Sequence, residues 1–282
     1  MKKIILISII WVSFHGFSNV VDRFGVELRR GVYYGKDSNT PFTGTVRSYF
    51  EIDYLDKPEE DRRVESIGTF EKGRPEGLFR TYYENGRVQR EITYKNGLQD
   101  GVAKFYNESG RLKTESNYNN GRLHGTSKNY YENGTLESEV QYRNGVQNGE
   151  MKFYHNNGQL HSRVRLKNGR KDGTIRTYYE NGAEQERLSY KNNVLDGTSR
   201  WYYPTGVVKS EISYSHGKKN GQAKYYHSNG NLRSEVNWIY DSIIGNVKLY
   251  DENGEFQRDM KIDEKSLESQ QEEYEEDEEF GV

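Results

Sequence analysis

The sequence contains no cysteine and only four proline residues among its 282. The absence of cysteine excludes disulfides, zinc sites built on thiolates and cysteine nucleophiles. Hydrophobic residues make up only 32% of the chain, which is low for a compact α/β enzyme. Tyrosine and glycine are abundant instead, with 24 and 29 residues. Because disordered chains are poor in aromatic residues, we interpret the middle of the chain as short strands and turns.

The N-terminal residues have the layout of a secretory signal peptide. Met1-Lys2-Lys3 is a short basic start, residues 4–14 are apolar apart from two serines, and the small residues Gly16 and Ser18 follow. We therefore predict a signal peptide at residues 1–18 and an exported protein, located in the periplasm, outside the cell or at the envelope surface. The alternative is a buried N-terminal strand or helix.

The C-terminal residues differ in charge from the rest of the chain. Residues 262–282 hold ten acidic side chains against one lysine, Lys265, for a net charge of −9. Because the whole chain carries −2, the preceding residues carry +7. We predict that residues 262–282 are a solvated, disordered acidic tail.

Glycine and tyrosine recur through the chain at intervals of 24 residues. One unbroken glycine column begins at Gly77 and ends at Gly245. A second column marks the predicted hairpin turns, at Gly86, Gly110, Gly134, Gly158, Gly182, Gly206, Gly230 and Gly254. A tyrosine column, with a base two positions before each tyrosine, consists of Arg80, Tyr82, Lys104, Tyr106, Lys128, Tyr130, Lys152, Tyr154, Arg176, Tyr178, Arg200, Tyr202, Lys224, Tyr226, Lys248 and Tyr250. Such self-similarity is typical of a repeat array, in which each unit packs only against its neighbours.

The columns predict the domain boundaries. Seven complete 24-residue repeats occupy residues 77–244, and a terminal half repeat occupies 245–261. An expanded first repeat occupies residues 44–76, with its extra residues in a longer loop around 51–63, and N-terminal strands at 19–43 lead into it.

Two turn signals in each repeat predict one β-hairpin per repeat and leave no room for helices. The segment "YYPTG" decides the turn type, because Pro204 cannot adopt a positive φ and Thr205 resists one. We therefore predict three-residue loops with Gly206 alone in the left-handed region. This register places all even-numbered residues on one face, which we expect to be the packed face. The predicted fold is all-β, an elongated antiparallel meander of hairpins.

The iterated pattern "YYENG…E…YKNG…G", seen in residues 82–97, resembles the MORN repeat. It resembles specifically the variant found in the bacterial YwqK-family antitoxin-like proteins. The segment at residues 30–44, "RGVYYGKDSNTPFTG", also resembles the segment that often precedes the repeats of those proteins. The resemblance implies a β-hairpin repeat fold and a role in binding another protein, such as a toxin.

The sequence predicts no catalytic residue, no cofactor and no metal. Carboxylates recur at Glu91, Glu115, Glu139, Glu211 and Glu235, with Arg163 and Arg187 interrupting the column. A repeated column gives its members equivalent environments, whereas glycoside hydrolysis needs two carboxylates in different ones. We therefore expect cross-strand pairing. His155 and His161 flank one hairpin turn, so a weak metal site there is the alternative to two exposed histidines.

The basic and tyrosine column is the predicted interaction surface. We predict another protein as the partner, a toxin or an envelope component among the candidates. An anionic membrane surface is the second candidate, since lipid headgroups could meet the same column. Single-stranded nucleic acid could stack on tyrosine, but export and the modest positive charge argue against it. In the remaining interpretation the bases only cover the tyrosines and keep the sheet soluble.

Overall fold

A computed structural model of the protein describes residues 20–261, which divide into two compact units. The first unit comprises residues 20–111 and 118–121, and the second comprises residues 112–117 and 122–261. The fold is almost entirely β, and the predicted antiparallel meander of hairpin repeats is confirmed. The predicted signal peptide at 1–18 and acidic tail at 262–282 lie outside the described residues.

The first unit begins with a parallel strand pair and continues as a meander. Strand β1 pairs in parallel with β4, and β4 to β8 are successive antiparallel neighbours, while β2 and β3 form a separate hairpin. The strands are β1 (Val20–Asp22), β2 (Val26–Arg29), β3 (Val32–Gly35), β4 (Gly44–Tyr49), β5 (Val64–Glu71), β6 (Arg74–Tyr82), β7 (Val88–Lys95) and β8 (Leu98–Tyr106). A 3₁₀ turn at Arg23–Gly25 separates β1 from β2.

The second unit is an antiparallel meander that runs from β9 to β23, and two of its strand positions are split into two pieces. In both cases the pieces, β14 with β15 and β17 with β18, face one continuous preceding strand. The strands are β9 (Leu112–Asn119), β10 (Arg122–Tyr130), β11 (Leu136–Arg143), β12 (Val146–Tyr154), β13 (Leu160–Lys167), β14 (Arg170–Lys171), β15 (Gly173–Tyr178), β16 (Glu184–Lys191), β17 (Val194–Leu195), β18 (Gly197–Tyr202), β19 (Val208–Ser215), β20 (Lys218–Tyr226), β21 (Leu232–Ile239), β22 (Ser242–Tyr250) and β23 (Phe256–Lys261).

The expanded first repeat contains a helix, α1 (Glu51–Asp56), and a 3₁₀ turn, Glu59–Asp61, so the expectation that the chain leaves no room for helices is wrong there. The additional residues of this loop provide the space. The carboxylate of Asp53, which is 1% exposed, accepts hydrogen bonds from the backbone N–H and the guanidinium of Arg63, and Lys57 lies 3.3 Å away. The hydrogen bonds from Arg63 hold the pKa of Asp53 well below its usual range.

The hairpin turns of the Glu84-Asn85-Gly86 kind are three-residue loops. Gly86 has a φ of +80°, while Asn85 does not have a positive φ. The N–H of Tyr83 donates to the carbonyl of Arg87, and the N–H of Gly86 donates to the carbonyl of Tyr83, both at 2.8 Å. Gly206 has the same conformation, with a φ of +85°. This is the loop type that Pro204 and Thr205 predict.

The turns between repeats differ from this prediction, because they are two-residue loops. Asn96 and Gly97 both have positive φ, +52° and +85°, and Lys95 pairs with Leu98 across the loop. Two consecutive residues of positive φ define a type I′ turn, whose twist matches that of the two strands. Asparagine at the first position tolerates the left-handed region better than most residues.

The predicted faces of the sheet are wrong, because a β-bulge follows each hairpin turn. Tyr82 pairs with Val88, but the next pair is Thr81 with Arg90, so Gln89 is an extra residue on the second strand. The same shift follows six three-residue loops of the second unit. One extra residue exchanges the two faces for every later position of that strand.

Beyond the bulge, Phe79 pairs with Ile92, and Arg80 pairs with Glu91. Since side chains alternate along a strand, Phe79 and Ile92 share one face, which we call the core face. Arg80, Tyr82 and Glu91 share the opposite face, which we call the charged face. The tyrosine column predicted to pack in the core thus lies on the charged face.

The buried side chains form a row across the strands on the core face. In the first unit the row includes Ile92 and Ala103. In the second unit its buried members are Ser116, Val140, Ile175, Ser199, Ile212, Ala223, Val236 and Val247. Aromatic rings flank the row, and Trp201 and Trp238 pack against the cluster of Ile212, Ala223, Val236 and Val247. Small residues such as Ala223, which is 0% exposed, stand beside larger ones, so the side chains of the row pack closely although aliphatic residues are few.

Candidate interaction surface

Charged residues on the charged face form a row across the strands, which we call the charge row. In the first unit Arg80 pairs with Glu91, and Glu91 pairs with Lys104. The Nε of Arg80 lies 2.8 Å from the carboxylate of Glu91, so bases and carboxylates alternate and pair between strands. This is the cross-strand role expected for the recurring glutamates. Both partners are partly exposed, so each pair contributes little to stability.

The alternation is interrupted in the second unit. The charge row there consists, strand by strand, of Lys128, Glu139, Lys152, Arg163, Arg176, Arg187, Arg200, Glu211, Lys224, Glu235, Lys248 and Asp259. Five successive members are basic, and we call them the basic run: Lys152, Arg163, Arg176, Arg187 and Arg200. The run exists because Arg163 and Arg187 stand where the column elsewhere has glutamate.

Four carboxylates contact the basic run, and the first of them, Glu139, lies 3.9 Å from Lys152. Glu150 pairs with Arg163 and lies 3.1 Å from Lys152. Glu184 lies 2.6 Å from Arg187 and raises the pKa of that guanidinium above its usual value, mainly through a hydrogen bond. Glu211 lies 2.6 Å from Arg200 at the end of the run.

Arg176 lies at the centre of the basic run and is the least well paired of its arginines. Its Nε is 3.5 Å from Glu184, whose carboxylate also binds Arg187. This nitrogen makes no hydrogen bond within residues 20–261. Together with Arg163 and Arg165, it lines a concavity on the surface that also includes acidic side chains. The five bases of the run therefore exceed the four carboxylates that contact them.

The tyrosine column lies beside the charge row on the charged face. The hydroxyl of Tyr106 donates to the carboxylate of Glu91 at 3.0 Å, which joins the column to the row. Next to the basic run, the guanidinium of Arg187 lies 5.7 Å from the ring centre of Tyr202. The tyrosines are half-buried, and Tyr202 is 9% exposed. The predicted bases and tyrosines are thus on one face.

A second tyrosine column, which the sequence analysis did not single out, connects successive repeats. The hydroxyl of Tyr83 donates a hydrogen bond to the carbonyl of Tyr106, 2.7 Å away. Tyr106 lies at the next hairpin turn. The same bond is made from Tyr131 to Tyr154, from Tyr179 to Tyr202 and from Tyr203 to Tyr226. His155 and His227, which replace tyrosine in this column, contact the equivalent carbonyls at 3.3 Å. The repeated "YY" pair in the sequence is the signal from which this second tyrosine column could have been predicted.

Asparagine side chains add a second set of bonds between turns, at intervals of 48 residues. The Nδ2 of Asn85 donates to the carbonyl of Glu108, and Asn133, Asn181 and Asn229 make the equivalent bonds to residues 156, 204 and 252. The intervening positions hold Ser109, Asn157, Thr205 and Asn253, so two of the four also carry asparagine.

His155 and His161 come together, as their positions flanking a turn predict. The Nε2 of His155 and the Nδ1 of His161 are 3.3 Å apart, and the rings are 4.6 Å apart at an angle of 71°. Partial burial and the neighbouring His155 lower the pKa of His161. No group of three or more metal-ligating side chains occurs in residues 20–261, and the same residues contain no helix with the length and hydropathy to cross a membrane.

The sequence model of the MORN repeat variant family matches the chain seven times. The matched segments are residues 75–96, 99–120, 123–144, 147–168, 171–192, 195–216 and 219–240. They cover more than half of the chain, and the chain therefore belongs to the MORN repeat variant family. No curated protein matches the chain.

Among solved structures, the crystal structure of TcdB2-TccC3 is similar to the chain at 11% sequence identity and a TM-score of 0.20. The similarity covers 67% of this chain and 14% of that one. The chain thus spans a small part of the length of the structure that it matches.

Proposed function

We propose that this MORN repeat protein is an exported, non-enzymatic scaffold that binds another protein through its charged face. The observation that supports the proposal is the repetition of one set of groups, such as Arg80, Tyr82 and Glu91, on the same face in successive repeats. Each hairpin advances the sheet by about 10 Å, since neighbouring strands are about 4.8 Å apart. A surface with such a spacing suits an extended partner that contacts several repeats at once.

Two narrower or different functions remain as candidates. The resemblance to antitoxin-like repeat proteins suggests that the bound protein is a toxin, which is neutralised by direct contact. The excess of bases at Arg163, Arg176 and Arg187 also suits the phosphate headgroups of an anionic membrane surface, which would make the chain a peripheral envelope protein.

Site-specific photo-crosslinking in the native organism tests the proposal. A photo-reactive phenylalanine analogue at Tyr178 places the reactive group on the charged face beside the basic run. The same analogue at the neighbouring Thr177, whose side chain lies on the core face, is the matched control. We expect a discrete protein adduct from position 178 that is much weaker from position 177.

The identity of the adduct separates the candidates. A toxin encoded beside the gene would establish the antitoxin function, and adducts with lipid alone would establish the membrane function. Equal labelling from both positions would contradict the assignment of the charged face. Amino-terminal sequencing of the mature protein tests export, and an intact Met1 or a cytoplasmic location would contradict it.

A further inference from the structure

The basic run is a local excess of positive charge in a charge row that is otherwise balanced. On one side of the run, Lys128 pairs with Glu139, and on the other side Lys224 lies between two glutamates. Within the run, Arg163, Arg176 and Arg187 are direct cross-strand neighbours, with side chains 49%, 40% and 36% exposed. Like charges that face each other directly across strands destabilise a sheet. An anion bound across the run would relieve this repulsion.

The chain itself contains a segment of complementary charge. Residues 272–279 hold seven acidic side chains and one tyrosine, Tyr274. A peptide carboxylate is a planar acceptor that arginine binds through two parallel hydrogen bonds, so the guanidinium groups of the run suit this segment better than lysines would. The carboxylates of the segment add acceptors to a run in which five bases contact four carboxylates.

The length of chain between the last strand and this segment is sufficient. Strand β23 ends at Lys261 and is separated from Arg176 on β15 by seven strand spacings in the same unit, or about 34 Å at about 4.8 Å per spacing. The residues from Lys261 to Glu275 can span about 46 Å at about 3.3 Å per residue. A tethered segment of this length has a high local concentration at the run.

We propose that the acidic segment at residues 272–279 binds the basic run of the same chain and covers it. This intramolecular contact lies beyond the binding function proposed above and does not depend on the identity of the partner.

Paramagnetic relaxation in the full chain tests the contact directly. Because the sequence has no cysteine, Phe280→Cys creates a single site for a spin label next to the acidic segment. We expect the label to broaden the amide signals around Arg163, Arg176 and Arg187 at low salt. The broadening should disappear at about 1 M salt, where the screening length falls to about 3 Å.

Two double variants make the test specific. Arg163→Glu with Arg187→Glu restores the alternation, and the fold accepts glutamate there because Glu139 and Glu211 hold the equivalent positions. We expect this variant to lose the broadening at low salt. Lys113→Glu with Lys209→Glu changes the charge equally at two exposed positions outside the charge row, and we expect the broadening to persist.

Three results would overturn the proposal. The first is an absence of broadening at the basic run at low salt, and the second is an equal loss of broadening in both double variants. The third comes from mixing spin-labelled chains with isotope-labelled chains that carry no label. Broadening in this mixture as strong as within one molecule would make a second copy the occupant.

Discussion

The hydroxyl of Tyr203 donates a hydrogen bond to the carbonyl oxygen of Tyr226, 2.9 Å away and 23 residues further along the chain. This carbonyl belongs to the residue at the bulge of the next hairpin, where the strand ladder shifts its register. The bond therefore compensates for the interruption of the ladder and attaches each turn to the following one.

Removal of this hydroxyl should destabilise the array. We expect Tyr203→Phe to lower the free energy of unfolding by about 0.5–1.5 kcal/mol, the usual contribution of one such bond. Urea denaturation followed by circular dichroism measures the change. Tyr214→Phe is the matched control, because the Tyr214 hydroxyl makes no hydrogen bond in the described part of the chain, and equal losses in both variants would contradict the role of the bond.

Gly206→Ala should destabilise its hairpin, although space is available for the added methyl group. A Cβ at this position would meet nothing within 4 Å, so the cost of Gly206→Ala comes only from its φ of +85°. We expect a loss of about 1 kcal/mol in the free energy of unfolding. Thr205→Gly should bring no gain, since residue 205 does not have a positive φ, and a stabilised Thr205→Gly variant would contradict the turn type.

Tyr240 occupies a strained position that can be improved. It has a φ of +48° and is 59% exposed, and the equivalent residues at 96, 120, 144, 168 and 192 are asparagine. We expect Tyr240→Asn to stabilise the protein by about 0.5–1 kcal/mol, measured as a rise in the urea midpoint. The reverse change, Asn192→Tyr, should cost a similar amount, and a Tyr240→Asn variant that is less stable than the original chain would contradict the explanation.

Gly68 and Phe79 should behave as a coupled pair. A Cβ on Gly68 would lie 2.1 Å from the ring of Phe79, which is held between Phe70 and Tyr94 at centroid distances of 5.3 and 4.9 Å. We expect Gly68→Ala to destabilise the first unit by about 1–3 kcal/mol through overpacking. In a Phe79→Ala background the same change should cost almost nothing, and a double-mutant cycle measures this coupling.

The stability of the hairpin at residues 155–161 should depend on pH. The folded chain lowers the pKa of His161, so the folded state binds fewer protons than the unfolded state. Stability from this group is present above the unfolded pKa of about 6.5 and is lost as the pH falls below it. Hydrogen exchange of this hairpin between pH 8 and pH 5 tests the effect. His161→Gln should reduce the pH dependence, and an unchanged dependence would assign it to other groups.

The repeat length and the three-residue turns could be predicted because a glycine with positive φ must recur wherever the backbone needs it. The faces of the sheet could not, since the extra residue of each bulge carries no characteristic side chain. The bulge position is Gln89 in one repeat, Glu137 in another and His161 in a third. The basic run was equally hidden, because it arises from cross-strand neighbours 11 or 13 residues apart in sequence.

A surface built by repetition presents the same contacts to a partner after every translation by one repeat, so a long ligand can bind in many equivalent registers. Arg163 and Arg187 remove this degeneracy, since their replacement of two glutamates distinguishes one position along the charge row from all its translations. Two arginines in an otherwise periodic row thus suffice to fix the register in which a bound chain aligns with the repeats.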